Sequence, residues 1–174
     1  MNILIVVDMQ NDFVKETLNT KEALQIVPKL KSIIENFYGE VIYTLDTHNE
    51  DYLNTQEGKN LPVKHCIEGT WGHEIIDEFK DIENFKDAKF FNKNTFGSKD
   101  LVKYLEDLDK KENIEKIYFT GVCTDICLVS NALLIKAFLP EIELYVYKEA
   151  CAGLNPQKNA AALDVLNSCQ VYTI

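Results

Sequence analysis

The chain has 174 residues, of which 28 are acidic and 18 are lysine or arginine, and all 18 of these are lysine. The formal net charge of −10 disfavours contact with the phosphate backbone of nucleic acids, so we expect no nucleic-acid partner. A chain of this length can bury one hydrophobic core, and we predict a single domain over residues 1–174.

The first element is a short apolar run, residues 3–7, which ends at Asp8. Because this run is only five residues long and has no basic flank, we expect it to be neither a signal peptide nor a membrane span. We interpret it as a buried strand and expect no membrane partner. The five cysteines form an odd set, which argues against a disulfide framework and predicts a cytoplasmic location.

Apolar runs of strand length alternate along the chain with stretches of helical period. This alternation predicts an α/β fold, in which helices cover both faces of a mostly parallel six-stranded sheet. Thr20, Ser98 and Asn155 are candidate N-caps, and Pro156 suits a first helical position. The predicted strands are 3–7, 40–45, 88–91, 116–120, 143–147 and 170–173. The predicted helices are 20–38, 72–80, 97–111, 124–138 and 156–168.

One polar stretch, residues 46–72, is longer than an ordinary connection, and loops of this length are usually functional. It carries Asp46, His48, Glu57 and His65, and two imidazoles with two carboxylates suit Zn²⁺, or Fe²⁺ or Mn²⁺ with added water. The spacing is irregular, so an acidic solvated loop with incidental histidines remains the alternative interpretation. We leave out His73, which stands at a predicted helix start.

Three predicted strands are each followed by a chemically active side chain. Asp8 follows the first strand, Lys93 the third and Cys127 the fourth. In a doubly wound sheet the carboxyl ends of strands meet, so a proton acceptor, a cation and a nucleophile could converge there. The helix start near Cys127 should lower its pKa. Taken singly, the three residues could instead be a loop cap, a solvated lysine and a core cysteine.

The segments that carry these residues resemble the isochorismatase-like cysteine hydrolases. The segments are VVDMQNDF at 6–13, NKNTF at 92–96 and TGVCTDICL at 120–128, and the resemblance spans almost the whole chain in the correct order. It implies a Rossmann-like three-layer fold and a catalytic triad of Asp8, Lys93 and Cys127. It also implies a cis peptide bond before Cys123 and an oxyanion hole formed by the backbone N–H groups of Cys123 and Cys127.

The polar stretch resembles the nicotinamidase and pyrazinamidase branch of that family. The likeness implies that Asp46, His48, Glu57 and His65 bind one divalent ion, with zinc as the first choice and iron or manganese as the alternatives. The spacing from Pro62 to His65 is one residue longer than is common in the branch, so Cys66 is the fallback ligand. The residues that match the branch's substrate wall by position are Phe13 and Phe96, with Leu61 nearby.

The resemblance implies a metal-dependent nicotinamidase of NAD salvage, which forms a thioester on Cys127 and releases nicotinate and ammonia. The alternatives are a sibling hydrolase acting on isochorismate, a carbamoyl amine or a ureido acid, a thiol switch through Cys123 and Cys127, and a metal-storing or scaffold protein. The absence of arginine favours small amides over dicarboxylates. We expect Cys151 and Cys169 to pack in the core, and homo-oligomerisation stays open.

Overall fold

Six parallel strands form one sheet in a computed structural model that describes residues 1–83 and 85–174. The strands are β1 (Asn2–Val7), β2 (Glu40–Asp46), β3 (Lys89–Lys93), β4 (Lys116–Val122), β5 (Glu143–Ala152) and β6 (Val171–Thr173). Their order in the sheet is β3-β2-β1-β4-β5-β6, and every pairing is parallel. The strand order therefore reverses between β1 and β4, and this switch point is where α/β folds of this type bind ligands.

Among residues 1–83 and 85–174, seven α-helices accompany the sheet. They are α1 (Asn11–Val14), α2 (Lys21–Asn36), α3 (Gln56–Asn60), α4 (Asp77–Lys80), α5 (Lys99–Glu112), α6 (Val129–Phe138) and α7 (Pro156–Ser168). The predicted N-caps are confirmed, because the side chains of Thr20, Ser98 and Asn155 accept hydrogen bonds from the first turns of α2, α5 and α7. Within the described residues, no helix is both long enough and apolar enough to cross a membrane.

The core lies on both faces of the sheet. One face packs Ile5, Phe119 and Val146 against apolar residues of α5, α6 and α7, and the other packs Val6 and Tyr43 against α2. Residues 3–7 of β1 are completely buried because β1 is central and covered on both faces, which explains its continuous apolar run. The predicted three-layer α/β architecture is therefore confirmed.

The predicted helix over residues 72–80 is wrong. The chain instead forms a short 3₁₀ turn, Trp71–His73, and the four-residue helix α4. Between them, Ile75 forms an antiparallel bridge with Gln10, and the N–H of Ile76 donates to the Met9 carbonyl at 3.0 Å. These bonds tie the segment to the chain after β1, so its backbone groups are unavailable for helical bonds.

The helix over residues 124–138 is present but irregular at its start, and the expected core position of Cys169 is wrong. The predicted helix over residues 124–138 begins with a π-helical turn, Thr124–Leu128, before α6. The polar stretch 46–72 contains a 3₁₀ turn, Tyr52–Asn54, and the short helix α3, neither of which has enough length to show a helical period. Cys151 is buried as expected, but Cys169 is exposed at the end of α7.

Candidate active site and metal site

Asp8, Lys93 and Cys127 come together at the carboxyl ends of β1, β3 and β4. The Lys93 Nζ lies 2.6 Å from the Asp8 Oδ2 and 3.4 Å from the Cys127 Sγ. All three residues are buried. The switch in strand order thus assembles a carboxylate, an ammonium and a thiol from positions far apart in sequence.

A β2 residue that the sequence analysis did not single out holds the Asp8 carboxylate. Thr44 Oγ1 donates to the Asp8 Oδ1 at 2.6 Å, while the Thr44 carbonyl accepts from the Asp8 N–H at 3.2 Å. Asp8 itself has a φ of 48°, which is uncommon for a residue other than glycine and turns the chain out of β1. Thr44 faces the end of β1 because it pairs with Val7, a register that the sequence does not reveal.

The pKa of Cys127 is not lowered by its helix position, contrary to the sequence-based expectation. Burial raises the pKa of the Cys127 thiol well above its usual range, the Asp8 charge adds to this effect, and Lys93 only partly opposes it. Burial also raises the pKa of Asp8, against the opposing charge of Lys93. The resting site therefore holds a thiol beside a carboxylate of raised proton affinity, which suits Asp8 as a general base.

The turn that carries Cys127 begins at a cis peptide bond between Val122 and Cys123, as the resemblance implied. The Cys123 carbonyl then accepts from the N–H groups of Ile126 and Leu128, each at 3.1 Å, and this pattern forms the first turn of the helix. Burial raises the pKa of the Cys123 thiol to about 12, and the charge of Asp125 acts in the same direction. The pKa values of both thiols are thus raised, and the contact that sets Cys127 apart is the one with the Lys93 ammonium.

The four predicted metal ligands form a second cluster. Asp46 ends β2, His48 follows it, Glu57 lies in α3, and His65 lies in the loop after α3. One donor atom from each residue lies within 4.8 Å of all the others. The Asp46 Oδ2 is 2.8 Å from the His48 Nε2 and 3.4 Å from the His65 Nε2, while the Glu57 Oε1 is 3.8 Å from both nitrogens.

The donor set fits one divalent ion. The His65 Nδ1–H donates to the Val63 carbonyl at 2.8 Å, so the lone pair of a neutral imidazole is on Nε2 and faces the cluster. The Tyr52 ring packs against both imidazoles, with centroids 4.6 Å from His48 and 5.0 Å from His65. Two oriented imidazole nitrogens and two carboxylate oxygens are the donors of a zinc-type site.

Cys66 and His73 lie outside this cluster. The backbone N–H of Cys66 donates to the Asp12 carboxylate at 2.7 Å, and burial raises the pKa of its thiol. The His73 Nε2 forms a hydrogen bond with the Thr47 hydroxyl at 2.8 Å. In the described part of the chain the cluster thus contains His65 but not Cys66, despite the longer spacing after Pro62.

The charges in the cluster favour cations. Burial raises the pKa of Asp46, but hydrogen bonds from both histidines and the charge of Lys93 outweigh this effect and hold it far below its usual value. Burial lowers the pKa of His65, but its bonds to Asp46 and Val63 and the nearby acids leave it raised. An ionised Asp46 thus lies beside a His65 that binds its proton more tightly than usual, and a metal ion would replace that proton.

A buried ammonium connects the two clusters, and a buried amide holds the backbone of Asp46. The Lys93 Nζ lies 3.4 Å from the Asp46 Oδ1, so the same ammonium contacts the triad and a candidate metal ligand. Gln10 donates to the carbonyls of Asp46 and His73 and accepts from the Asp46 N–H, each at 2.8 Å. Gln10 was not among the predicted site residues. Its position two residues after Asp8 was the only available signal, because its partners are backbone groups.

The predicted substrate wall is only partly brought to the clusters. The Phe13 ring lies 5.7 Å from the His65 ring and is tilted against it. The Leu61 side chain is partly exposed, and its carbonyl accepts from the Tyr52 hydroxyl at 3.0 Å. Phe96 exposes 46% of its surface and is held through its carbonyl by Asn131. Phe13 therefore borders the candidate metal site directly.

The chain is similar to known proteins along almost its whole length. The isochorismatase domain family matches residues 2–174. The nicotinamidase of Schizosaccharomyces pombe is 27% identical, over 98% of this chain and 91% of that protein. The structure of a zinc complex of the Pyrococcus horikoshii pyrazinamidase is 26% identical, with a TM-score of 0.83 over 99% of this chain and 98% of that one. The nicotinamidase/pyrazinamidase of Bacillus subtilis is 25% identical, with a TM-score of 0.80 over the same shares.

Proposed function

The chain belongs to the isochorismatase family, and we propose that this amidohydrolase is a metal-dependent nicotinamidase, which converts nicotinamide and water to nicotinate and ammonia. One observation carries the proposal: Lys93 lies 3.4 Å from both the Cys127 Sγ and the Asp46 Oδ1. A buried nucleophile thus stands beside a four-residue donor cluster. The similarity to nicotinamidases and to a pyrazinamidase in complex with zinc supports the same function.

The first half of the reaction forms a thioester. Asp8 takes the thiol proton of Cys127, and Lys93 stabilises the thiolate that results. Because the proton moves within the site, no net charge has to enter the buried space. The thiolate attacks the amide carbon, Asp8 returns the proton to the amide nitrogen, and ammonia leaves. Asp8 and Cys127 exchange one proton, so their titration belongs to the pair.

The second half hydrolyses the thioester. Asp8 takes a proton from water, the hydroxide attacks the thioester carbon, and the Cys127 thiolate leaves and regains the proton. In both halves a negative charge develops on the substrate oxygen. We assign the backbone N–H groups of Cys123 and Cys127 as its donors, and such donors contribute about 3 kcal/mol each in other acyl-transfer enzymes.

The metal cluster accounts for the choice of substrate. Asp46, His48, Glu57 and His65 would hold one divalent ion, zinc by preference, and that ion would supply a coordination position for the pyridine nitrogen. Phe13, beside His65, offers the aromatic ring an apolar surface, and we propose Phe96 and Leu61 as further wall residues. Nicotinamide hydrolysis would place the protein in NAD salvage.

Ammonia release by the purified, zinc-loaded protein tests the proposed reaction class. We expect ammonia from nicotinamide and pyrazinamide and no turnover of isochorismate. Turnover of isochorismate with none of nicotinamide would show that the protein is a different hydrolase of the same family. Ammonia release by the Cys127→Ser variant at the parent's rate would exclude the thiol as the nucleophile.

A further inference from the structure

A buried amide on α6 connects the turn that carries Cys127 with the segment that carries Phe96. Asn131 is fully buried. Its Nδ2 donates to the Cys127 carbonyl at 2.8 Å and to the Phe96 carbonyl at 3.1 Å. Its Oδ1 accepts from the Ser98 N–H at 2.9 Å. The two donors and the acceptor of one side chain therefore hold three backbone groups.

The segment over residues 94–98 also lies close against α6. A Cβ atom on Gly97 would stand only 3.2 Å from the Ser130 carbonyl and 3.3 Å from the Leu134 side chain. On the far side, the Ser98 hydroxyl caps α5 by accepting from the Leu101 N–H at 3.2 Å. A shift of this segment would break buried hydrogen bonds, so its position depends on its contacts with α6.

We propose that Asn131 is a positioning residue, which holds the Phe96 segment in a fixed relation to the Cys127 turn so that one substrate meets both. The role of Phe96 in this inference rests on the proposed nicotinamidase function. All three of the Asn131 contacts are with backbone groups. An apolar residue at position 131 would leave two carbonyls and one N–H without these hydrogen-bond partners. Leaving buried polar groups unpaired lowers stability more than losing a contact between neutral groups does.

Two variants separate the bond of Asn131 to the Cys127 turn from its bonds to the Phe96 segment. Asn131→Ser keeps a bond to the Cys127 carbonyl, because a helical serine donates to the carbonyl four residues earlier, but it is too short to reach Phe96 or Ser98. Asn131→Leu removes all three bonds. The matched control is Ser130→Ala, which removes a hydroxyl that donates to the Ile126 carbonyl at 2.6 Å on the same helix.

For Asn131→Ser we expect the KM for nicotinamide to rise by about tenfold or more, because both bonds to the Phe96 segment are lost, while kcat changes by less than about threefold. The alkylation rate of Cys127 by iodoacetamide should stay at the parent's value, and hydrogen exchange at the Ser98 amide should speed up about tenfold. Asn131→Leu should also change the alkylation rate. Ser130→Ala should change none of these quantities.

The inference is overturned if Asn131→Ser keeps the parent's KM, or if it changes only in thermal stability, as a merely structural residue would. If Asn131→Leu does not fold, the measurements on Asn131→Ser alone test the positioning role. If the parent protein hydrolyses no nicotinamide, the proposed function fails, but Ser98 exchange and Cys127 alkylation still test the positioning role. Unchanged Ser98 exchange in Asn131→Ser would then exclude it.

Discussion

Two cysteines on the same turn differ in what surrounds their thiols. Burial raises the pKa of both thiols. The Cys127 Sγ lies 3.4 Å from the Lys93 ammonium, whereas the largest charge effect on Cys123 comes from Asp125, which raises its pKa further. In the proposed mechanism Cys123 acts only through its backbone N–H. Its side chain is therefore replaceable, and the side chain of Cys127 is not.

We expect Cys127→Ala to abolish nicotinamide hydrolysis and Cys123→Ala to retain much of it, because only the first substitution removes the nucleophile. The measurement is kcat by ammonia release, with circular dichroism to check that both variants fold. An equal loss of kcat in the two variants would refute the assignment of Cys127.

Lys93 is the buried cation that pairs with the buried carboxylates of the site. Its ammonium contacts the carboxylates of both Asp8 and Asp46. Lys93→Met should leave two buried carboxylates without their cation and lower the free energy of unfolding by about 3 kcal/mol or more. It should also raise the pKa of Cys127 further, since a nearby positive charge favours the thiolate.

Lys64→Met is the matched control for this substitution, because Lys64 pairs with Glu50 at 2.7 Å on the surface. Its free energy of unfolding should change by less than about 1 kcal/mol. Urea denaturation measures the stability of both variants, and the pH dependence of alkylation measures the thiol. If the Lys93 and Lys64 variants lose equal stability, or if the Cys127 titration is unchanged by Lys93→Met, the proposed contact is wrong.

At the scale of elements, the ends of strands could be predicted better than the connections. Asp8, Lys93 and Asp46 follow apolar runs, and parallel topology requires the ends of such runs to meet. Gln10, Thr44 and Asn131 could not be predicted, because their partners lie far away in sequence and depend on register. The prediction of a helix over residues 72–80 failed for the same reason, since the backbone of this segment forms hydrogen bonds with the chain after β1.

The loop that carries His65 should bind metal in a pH-dependent way. The pKa of His65 in the folded protein is raised above its ordinary value of 6.5. Without an ion, protonation of His65 therefore stabilises the fold. This stabilisation is complete below pH 6.5 and is lost as the pH rises through the folded pKa. A metal ion must displace this proton. The increase in Tm caused by zinc should therefore shrink as pH falls from about 8 to about 6.

Thermal melts with zinc and with a chelator, across that pH range, measure the effect. His65→Asn should remove most of the zinc-dependent increase in Tm. His73→Asn is the matched control, because His73 bonds to Thr47 and lies outside the cluster, and it should leave the zinc effect intact. A zinc-dependent increase in Tm that is the same at every pH would contradict the proposed protonation of His65.

At the scale of the whole molecule, the alternation of strands and helices was enough to predict the layers and the parallel sheet. The strands β1 and β4 stood out because central strands are buried on both faces and read as apolar runs. The sequence did not show the strand order, which places β4 beside β1 and so creates the switch point. The single domain and the cytoplasmic location stay predictions, and the oligomeric state stays open.

The central claim is that the metal cluster and the triad act on one pyridine amide. The most direct test is kcat/KM for nicotinamide and for benzamide, which has nearly the same shape but no ring nitrogen, measured with the zinc-loaded protein. We expect benzamide to be slower by at least about a hundredfold, because a lost coordination bond leaves a desolvated position unfilled. Hydrolysis of benzamide at a rate close to that of nicotinamide, or full activity in metal-free protein, would contradict this account.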